Sequence, residues 1–303
     1  MNQHTRPFSP GADAQLGVIH KVLDHGEIEL VDYMGTDEML ARIARVSTGS
    51  ERQDTGILGF LVRHRHTSPI EFGKLVVRVK LPIFLARQWI RHRTGSFSER
   101  SMRYQPPLNA VYVPSEDYCQ AKMSAGVKQG RGATMSESHA GWVREEMRIS
   151  ARSAVDLYEE LAEDDAEFDY PGLAAELARS VLPLGTYTEW YWTTDAHNLM
   201  HWLRLRLDGH AQKEIRAYAE VIYQIFKAWL PALAEAFDTY VRAAVTFSAK
   251  ELAALATTGL SASVLKPGDH GMSAGELSEF AAKLGRLMAA SDSSDNQTGG
   301  GGA

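Results

Sequence analysis

The residues best suited to chemistry lie between Gln88 and Tyr104. An apolar stretch (Ile83, Phe84, Leu85, Trp89, Ile90) turns abruptly polar there and reads Arg91-His92-Arg93-Thr94-Gly95-Ser96-Phe97-Ser98-Glu99-Arg100-Ser101-Met102-Arg103-Tyr104. Arginine suits bidentate recognition of phosphate or carboxylate. Ser96, Ser98 and Ser101 add small donors, and Gly95 permits close backbone approach. Ser101 and Arg103 straddle a turn from which both can reach one phosphate. Between Arg78 and Arg103 there are seven basic side chains (Arg78, Lys80, Arg87, Arg91, Arg93, Arg100, Arg103) and one acid, Glu99, in a chain of net charge −6. A local cation cluster on an acidic protein suits a small anion better than a long polyanion. By residue type alone the segment is either an anion-binding loop at a helix end or a basic surface loop.

Two further runs carry polar groups at informative spacing. In His66-Thr67-Ser68-Pro69-Ile70-Glu71 a histidine precedes a proline-terminated turn, which by itself is more often structural than functional. His64 and His66 have no carboxylate or third histidine at ligand spacing, and one cysteine excludes a multi-thiolate site, so no metal is expected. The run His197 to Gln212 reads as part of a helix. Leu203, Arg206 and His210 then share one face, with His201, Leu205 and Asp208 on a neighbouring one. Arg204 and Asp208 suit a plain surface pair. Polar residues on every face mean that this stretch borders solvent, a partner subunit or a ligand. There is no Gly-x-Gly-x-x-Gly after a strand and no phosphate-cradling Gly-Lys-Ser/Thr loop, so a nucleotide would have to be held by another device.

Alternation predicts strands over Gly26 to Tyr33, with Ile28, Leu30 and Asp32 on one side, and over Glu71 to Leu81, with Leu75, Val77, Val79 and Leu81 buried. Helices are predicted from a Thr36 cap through Val46, over Ile57 to His66, and over Ile83 to His92 after Pro82. Others follow over Glu145 to Glu163, Gly172 to Val181 and Ala196 to Leu230, the last burying Ile215, Ala219, Ile222, Phe226 and Trp229. The polar, Gly- and Ser-rich segment 115–140 reads as a surface insertion. These elements imply an α+β fold, a central antiparallel-rich twisted sheet flanked by long helices in a single domain. The domain is expected over 15–290, between a flexible N-terminal tail (1–14) and a disordered Ser/Gly tail (291–303). With 44% hydrophobic residues, no membrane-span run and no secretory-type N-terminal layout, a cytoplasmic protein is expected, without membrane or nucleic-acid partners.

The pattern Arg91-His92-Arg93 followed after seven residues by Ser101, with Gln88 three residues ahead and Glu99, Arg103 and Tyr104 in register, resembles the signature of flavin-dependent thymidylate synthases. The likeness extends from Gly26 to Phe237. It includes His66, Ser68, Pro69 and Glu71, the run Arg206-x-Asp208-x-His210-Ala211-Gln212, Arg179 and Ser47. The resemblance implies a dUMP site of Gln88, Arg91, Glu99, Ser101, Arg103, Arg179 and Arg206. It implies an FAD site of Ser47, Ser68, Glu71, Arg91, His92, Arg93, Glu99, His197, His201, Leu205 and His210. Arg206 would stabilise charge on the pyrimidine. Ser101 completes the catalytic set as a binding group, since no His–carboxylate pair is visible to activate it. The implied reaction is reductive methylation of dUMP to dTMP, with methylenetetrahydrofolate as carbon donor and NADPH reducing the FAD, in a homotetramer with sites between subunits. Cys119 sits outside every constellation, unlike a thymidylate synthase nucleophile. The family often has Asn at Ser98, and some members have Asn and Arg at Asp195 and His197. Two other readings remain open to test: a polyanion- or phosphopeptide-binding module built on Arg78 to Arg103, and a metal-dependent phosphohydrolase.

Overall fold

Strand formation follows the alternation. In the computed structural model, β2 (Gly26–Met34) and β3 (Lys74–Pro82) bury Ile28, Leu30, Leu75, Val77, Val79 and Leu81 on one face. They pair with Ile28 opposite Val79 and Leu30 opposite Val77. Past Leu30 the register shifts at a bulge, so Tyr33 turns inward while Val31 and Asp32 are exposed. The expectation that Asp32 shares the face of Ile28 and Leu30 is therefore wrong. The sheet is antiparallel throughout, in the order β1 (Ile19–Val22), β2, β3, β7 (Tyr187–Asp195), β4 (Ser96–Glu99). Periodicity did not single out β7, which lies between β3 and β4; Trp190 and Trp192 lie opposite Val79 and Val77 and are buried with them.

The other face of β2 and β3 is polar. Arg78 donates to Glu29 and Glu189, each at 2.7 Å, and lies 3.6 Å from Glu27. Arg78 therefore does not belong to an anion-binding cluster: three carboxylates already surround it.

Helices cover the apolar face. α2 (Asp37–Arg45) starts at its Thr36 cap, and α3 (Ile57–His64) ends at Arg65 in a left-handed turn. α4 (Ile83–Trp89) is shorter than expected and ends before His92. The expected helix 196–230 is two helices, α7 (Ala196–Arg206) and α8 (Lys213–Trp229). Asp208 breaks them by accepting from the His210 backbone N–H at 2.8 Å, a side-chain turn next to Gly209. The stripe Ile215, Ala219, Ile222, Phe226 and Trp229 on α8 is buried as expected. α9 (Pro231–Phe237) packs after it, its first N–H groups held by Asp37.

Where an insertion was expected, Gln120–Lys122 (β5) pairs with Arg131–Thr134 (β6), and α5 (Glu137–Ala162) begins at a Ser136 cap. The expected helix 172–181 is the short α6 (Ala175–Ala178), continued as a tighter turn over Arg179–Val181. Residues 7–14 are not a free tail. They contain α1 (Pro10–Asp13), with Ala12 fully buried and Ser9 Oγ donating to the Trp229 carbonyl at 2.8 Å.

The structure describes residues 7–122 except 51 and 53, residues 131–247, and residues 274, 275 and 280. The tail expected at 291–303, the domain end at 290 and positions 123–130 of the expected insertion lie outside these. The chain divides into a unit over Met1–Ala243, which holds every element named above, and a second over Ala244–Ala303.

Candidate active site

Four tryptophans form the floor. Trp89 of α4 lies 4.3 Å from Trp202 of α7, ring centre to ring centre, and meets Trp190 and Trp192 edge-on. Arg206 lies one turn beyond Trp202 on the same face of α7 and meets Gln88, the neighbour of Trp89 on α4. Arg206 Nη2 donates to the Gln88 carbonyl at 3.1 Å, and Arg206 Nε donates to His92 Nε2 at 3.1 Å. The Gln88 side-chain amide donates to Gln212. His201 completes the cluster, its ring 5.6 Å from that of His92.

This packing sets the charges. Burial, then Arg206 and His201, push the His92 imidazole down from 6.5 to about 4. His92 is thus neutral at pH 7, with Nε2 accepting and the proton on Nδ1. Burial also lowers the Arg206 pKa, yet arginine stays charged. Among the described residues its Nη1 has no protein partner, so one donor remains for a ligand.

A second group is drawn from the end of β4, the segment after it and α6 with its following turn. Gly95 allows its entry, since a Cβ there would lie 2.8 Å from both the Thr193 carbonyl and Trp192 Nε1. Glu99 accepts from Thr188 Oγ1 at 2.7 Å. Ser101 Oγ accepts from the Arg103 N–H at 3.3 Å in a tight turn. Arg103 pairs with Glu176 at 3.2 Å, and Arg179 Nε donates to the Glu176 carbonyl at 3.3 Å, so Glu176 gathers both arginines. No hydrogen bond or ion pair links this group to Arg206, His92 and Gln88 among the described residues.

The residues expected to meet a flavin are spread along α7 and its neighbours. His197 starts the helix beside the turn Ile70–Phe72 and Arg206 ends it, about 14 Å away at 1.5 Å per residue. Arg91 and Arg93 are exposed and make no ion pair among the described residues. Leu205 and His201 are exposed on the outer side of α7. Ser68 is exposed, Glu71 accepts from Thr67 Oγ1 at 2.9 Å, and Ser47 Oγ donates to the Ala44 carbonyl at 3.2 Å. His210 does not share a helix face with Leu203 and Arg206: it sits on the turn after α7, exposed and paired with Asp208 at 2.8 Å. Asp195 caps α7, accepting from Asn198 at 2.9 Å. Sequence reasoning missed Gln212 as the partner of Gln88; its place at the end of the Arg206–Gln212 run was the available signal. Among the described residues no cluster of metal-ligating side chains occurs, and no helix is long and apolar enough to cross a membrane.

Residues 29–232 match the family model described as thymidylate synthase complementing protein. The chain is 40% identical over 291 residues to the flavin-dependent thymidylate synthase of Ruegeria pomeroyi, across 93% of this chain and 95% of that one. It is 42% identical over 284 residues to the enzyme of the same name from Gluconobacter oxydans, across 92% of both. This chain belongs to the flavin-dependent thymidylate synthases. A solved relative by fold is the UMP/dUMP methylase PolB from Streptomyces cacaoi bound with 5-Br UMP, with a TM-score of 0.65 and 33% identity over 73% of this chain and 98% of that one. For a flavin-dependent thymidylate synthase the exposed groups fit FAD. Arg91 and Arg93 are uncommitted cations suited to a pyrophosphate, and Leu205 beside His201 offers a surface for a planar ring.

Proposed function

We propose that this protein methylates dUMP to dTMP, with methylenetetrahydrofolate as carbon donor and NADPH as the source of reducing electrons. The observation that carries this reading is Arg206, half-buried and pre-positioned by a neutral His92 and the Gln88 carbonyl, with Nη1 left to donate. A fixed guanidinium in a poorly hydrated place stabilises negative charge on a pyrimidine carbonyl without reorganising as that charge develops. Because His92 is neutral, it orients Arg206 without competing for the same anionic ligand. FAD, when bound, supplies the hydride and relays the one-carbon unit; the protein binds, orients and polarises. The C5 hydrogen of dUMP leaves as a proton, and two electrons reduce the transferred carbon to a methyl group.

Arg91, Ser101, Arg103 and Arg179 bind the dUMP phosphate, and Gln88 and Glu99 border the nucleotide. Ser47, Ser68, Glu71, Arg91, His92, Arg93, Glu99, His197, His201, Leu205 and His210 contact FAD. Cys119 plays no nucleophilic part: it is buried, and burial pushes its thiol above the ordinary range. A cytoplasmic homotetramer is proposed, with Ser101, Arg103 and Arg179 of one subunit facing Arg206 of another. What supports it is that, among the described residues, no hydrogen bond or ion pair joins the two groups within one chain, and that Tyr104 and Leu205 are exposed.

The test is release of the C5 hydrogen from dUMP, with and without NADPH and methylenetetrahydrofolate, by protein whose flavin absorbance is recorded first. Release that depends on both is expected. A colourless protein that releases nothing under reducing, folate-replete conditions would overturn the reading.

A further inference from the structure

A buried acid that the chemistry above does not use lies in the first turn of α8. Glu214 is 2% exposed. It accepts from Tyr112 Oη at 3.0 Å and, through both carboxylate oxygens, from the Arg131 guanidinium. A carboxylate so placed persists only when paired and hydrogen-bonded. Among the described residues Arg131 is its one cationic partner. Burial opposes ionisation, but the Arg131 hydrogen bond and charge outweigh it and hold the Glu214 carboxyl below its ordinary range. Arg131 stands on β6 and is itself anchored, its Nη1 donating to the Tyr118 carbonyl at 3.1 Å.

Glu214 sits two residues after Gln212, the cap position of α8. Gln212 receives the Gln88 amide, and the Gln88 carbonyl receives Arg206. The first turn of α8 thus joins the Arg131–Glu214 pair to the polar contacts that lead through Gln212 and Gln88 to Arg206. We propose that Arg131 is a positioning residue for dUMP methylation: by locking Glu214 it fixes the turn between α7 and α8 and, through Gln212 and Gln88, the aim of Arg206. This inference rests on the functional reading above.

The experiment compares Arg131→Ala, Arg131→Lys and the double variant Arg131→Ala/Glu214→Gln in the full-length, flavin-loaded protein. Flavin content, Tm, dUMP Kd and kcat/KM for dUMP are measured for each. Arg131→Ala should lose about 10- to 100-fold in kcat/KM, the scale expected when a reacting group is displaced by about an ångström, while keeping its flavin. Arg131→Lys should recover part of the loss, because an ammonium keeps the charge but not the two-pronged grip. The double variant removes the stranded buried charge, so Tm should return while kcat/KM stays low. Wild-type kcat/KM in a flavin-loaded Arg131→Ala, or kcat/KM returning with Tm in the double variant, would overturn the proposal. If Arg131→Ala fails to fold, the other two variants decide, and wild-type kcat/KM in both refutes it. A wild-type protein that binds dUMP without turnover would instead sink the functional reading, and the Kd comparison would then judge Arg131.

Discussion

The arginines of the site are held in two different ways. Arg206 is half-buried against a tryptophan floor and committed through two of its nitrogens. Arg103 is exposed and rests against Glu176, a carboxylate that an incoming phosphate can displace. An exposed pair of this kind contributes about 0–1 kcal/mol, so letting it go costs little. The difference fits the two tasks proposed for these arginines. Charge stabilisation in the transition state requires a group already in place, whereas capture of a phosphate requires cations that can be reached and closed upon. Beside Arg206 stands His92, whose neutrality keeps the buried end from carrying two adjacent positive charges.

Each side of this contrast can be broken separately. Arg206→Ala should cost about 10²- to 10³-fold in kcat, the loss typical of removing one pre-positioned donor. Flavin absorbance should be retained, and C5-hydrogen release by flavin-loaded protein measures both. Wild-type turnover would remove Arg206 from the chemistry.

Arg179→Ala should act mainly on affinity, raising the KM for dUMP about tenfold with a smaller change in kcat, as loss of a charge-assisted phosphate contact predicts. Steady-state kinetics separate the two parameters, and an equal fall in kcat would move Arg179 to the transition-state side of the contrast.

Acid distinguishes the two ends as well. The His92 pKa is lowered in the fold, so the unfolded chain takes up the proton first as pH falls below 6.5. The stability tied to neutral His92 is thus complete above 6.5 and is lost toward about 4. Asp37 runs the other way. Burial raises its carboxyl from 3.8 to about 6, so its contribution is greatest below 3.8 and is lost as pH rises through about 6. Tm measured across this range should therefore change little in the wild type and fall with acid in Asp37→Asn, where the His92 effect is unmasked. A flat profile in Asp37→Asn would refute the assignment of a neutral, buried His92.

The smallest effect is a gain. Glu176→Gln removes the carboxylate that competes for Arg103 and should lower the Kd for dUMP by about two- to fivefold, the scale of one exposed ion pair. Calorimetric titration with dUMP measures it, and weaker binding would mean that Glu176 holds Arg103 in its working position.

Much of the fold was legible because a buried face leaves a period. Leu75 to Leu81 and Ile215 to Trp229 declared themselves in this way. The break between α7 and α8 did not, because residues 207–212 are polar enough to pass for one more helical turn. The Asp208 side chain, which captures the His210 N–H beside Gly209, marks the break. β7 was missed although its Tyr, Trp and Thr residues favour strands, and the bulge after Leu30 inverts a pattern that spacing alone would have continued. In the proposed site, the run Arg91-His92-Arg93 to Ser101, with Gln88, Arg179 and Arg206, could be named from sequence. The roles of Gln212 and Glu214 were not, because their partners Gln88 and Arg131 are distant in sequence.

Residue types and spacing determined which groups are available and to which family they belong. Tertiary packing decided which of them are free to act. Arg78 is spent on Glu27, Glu29 and Glu189, and Asp195 on capping α7, while Arg91 and Arg93 remain uncommitted. Packing also made His92 neutral and tied Arg206 to His92 and the Gln88 carbonyl. The reason is physical: charge state and freedom depend on burial and on neighbours brought together by the fold, and both are set by three-dimensional distance rather than by position along the chain.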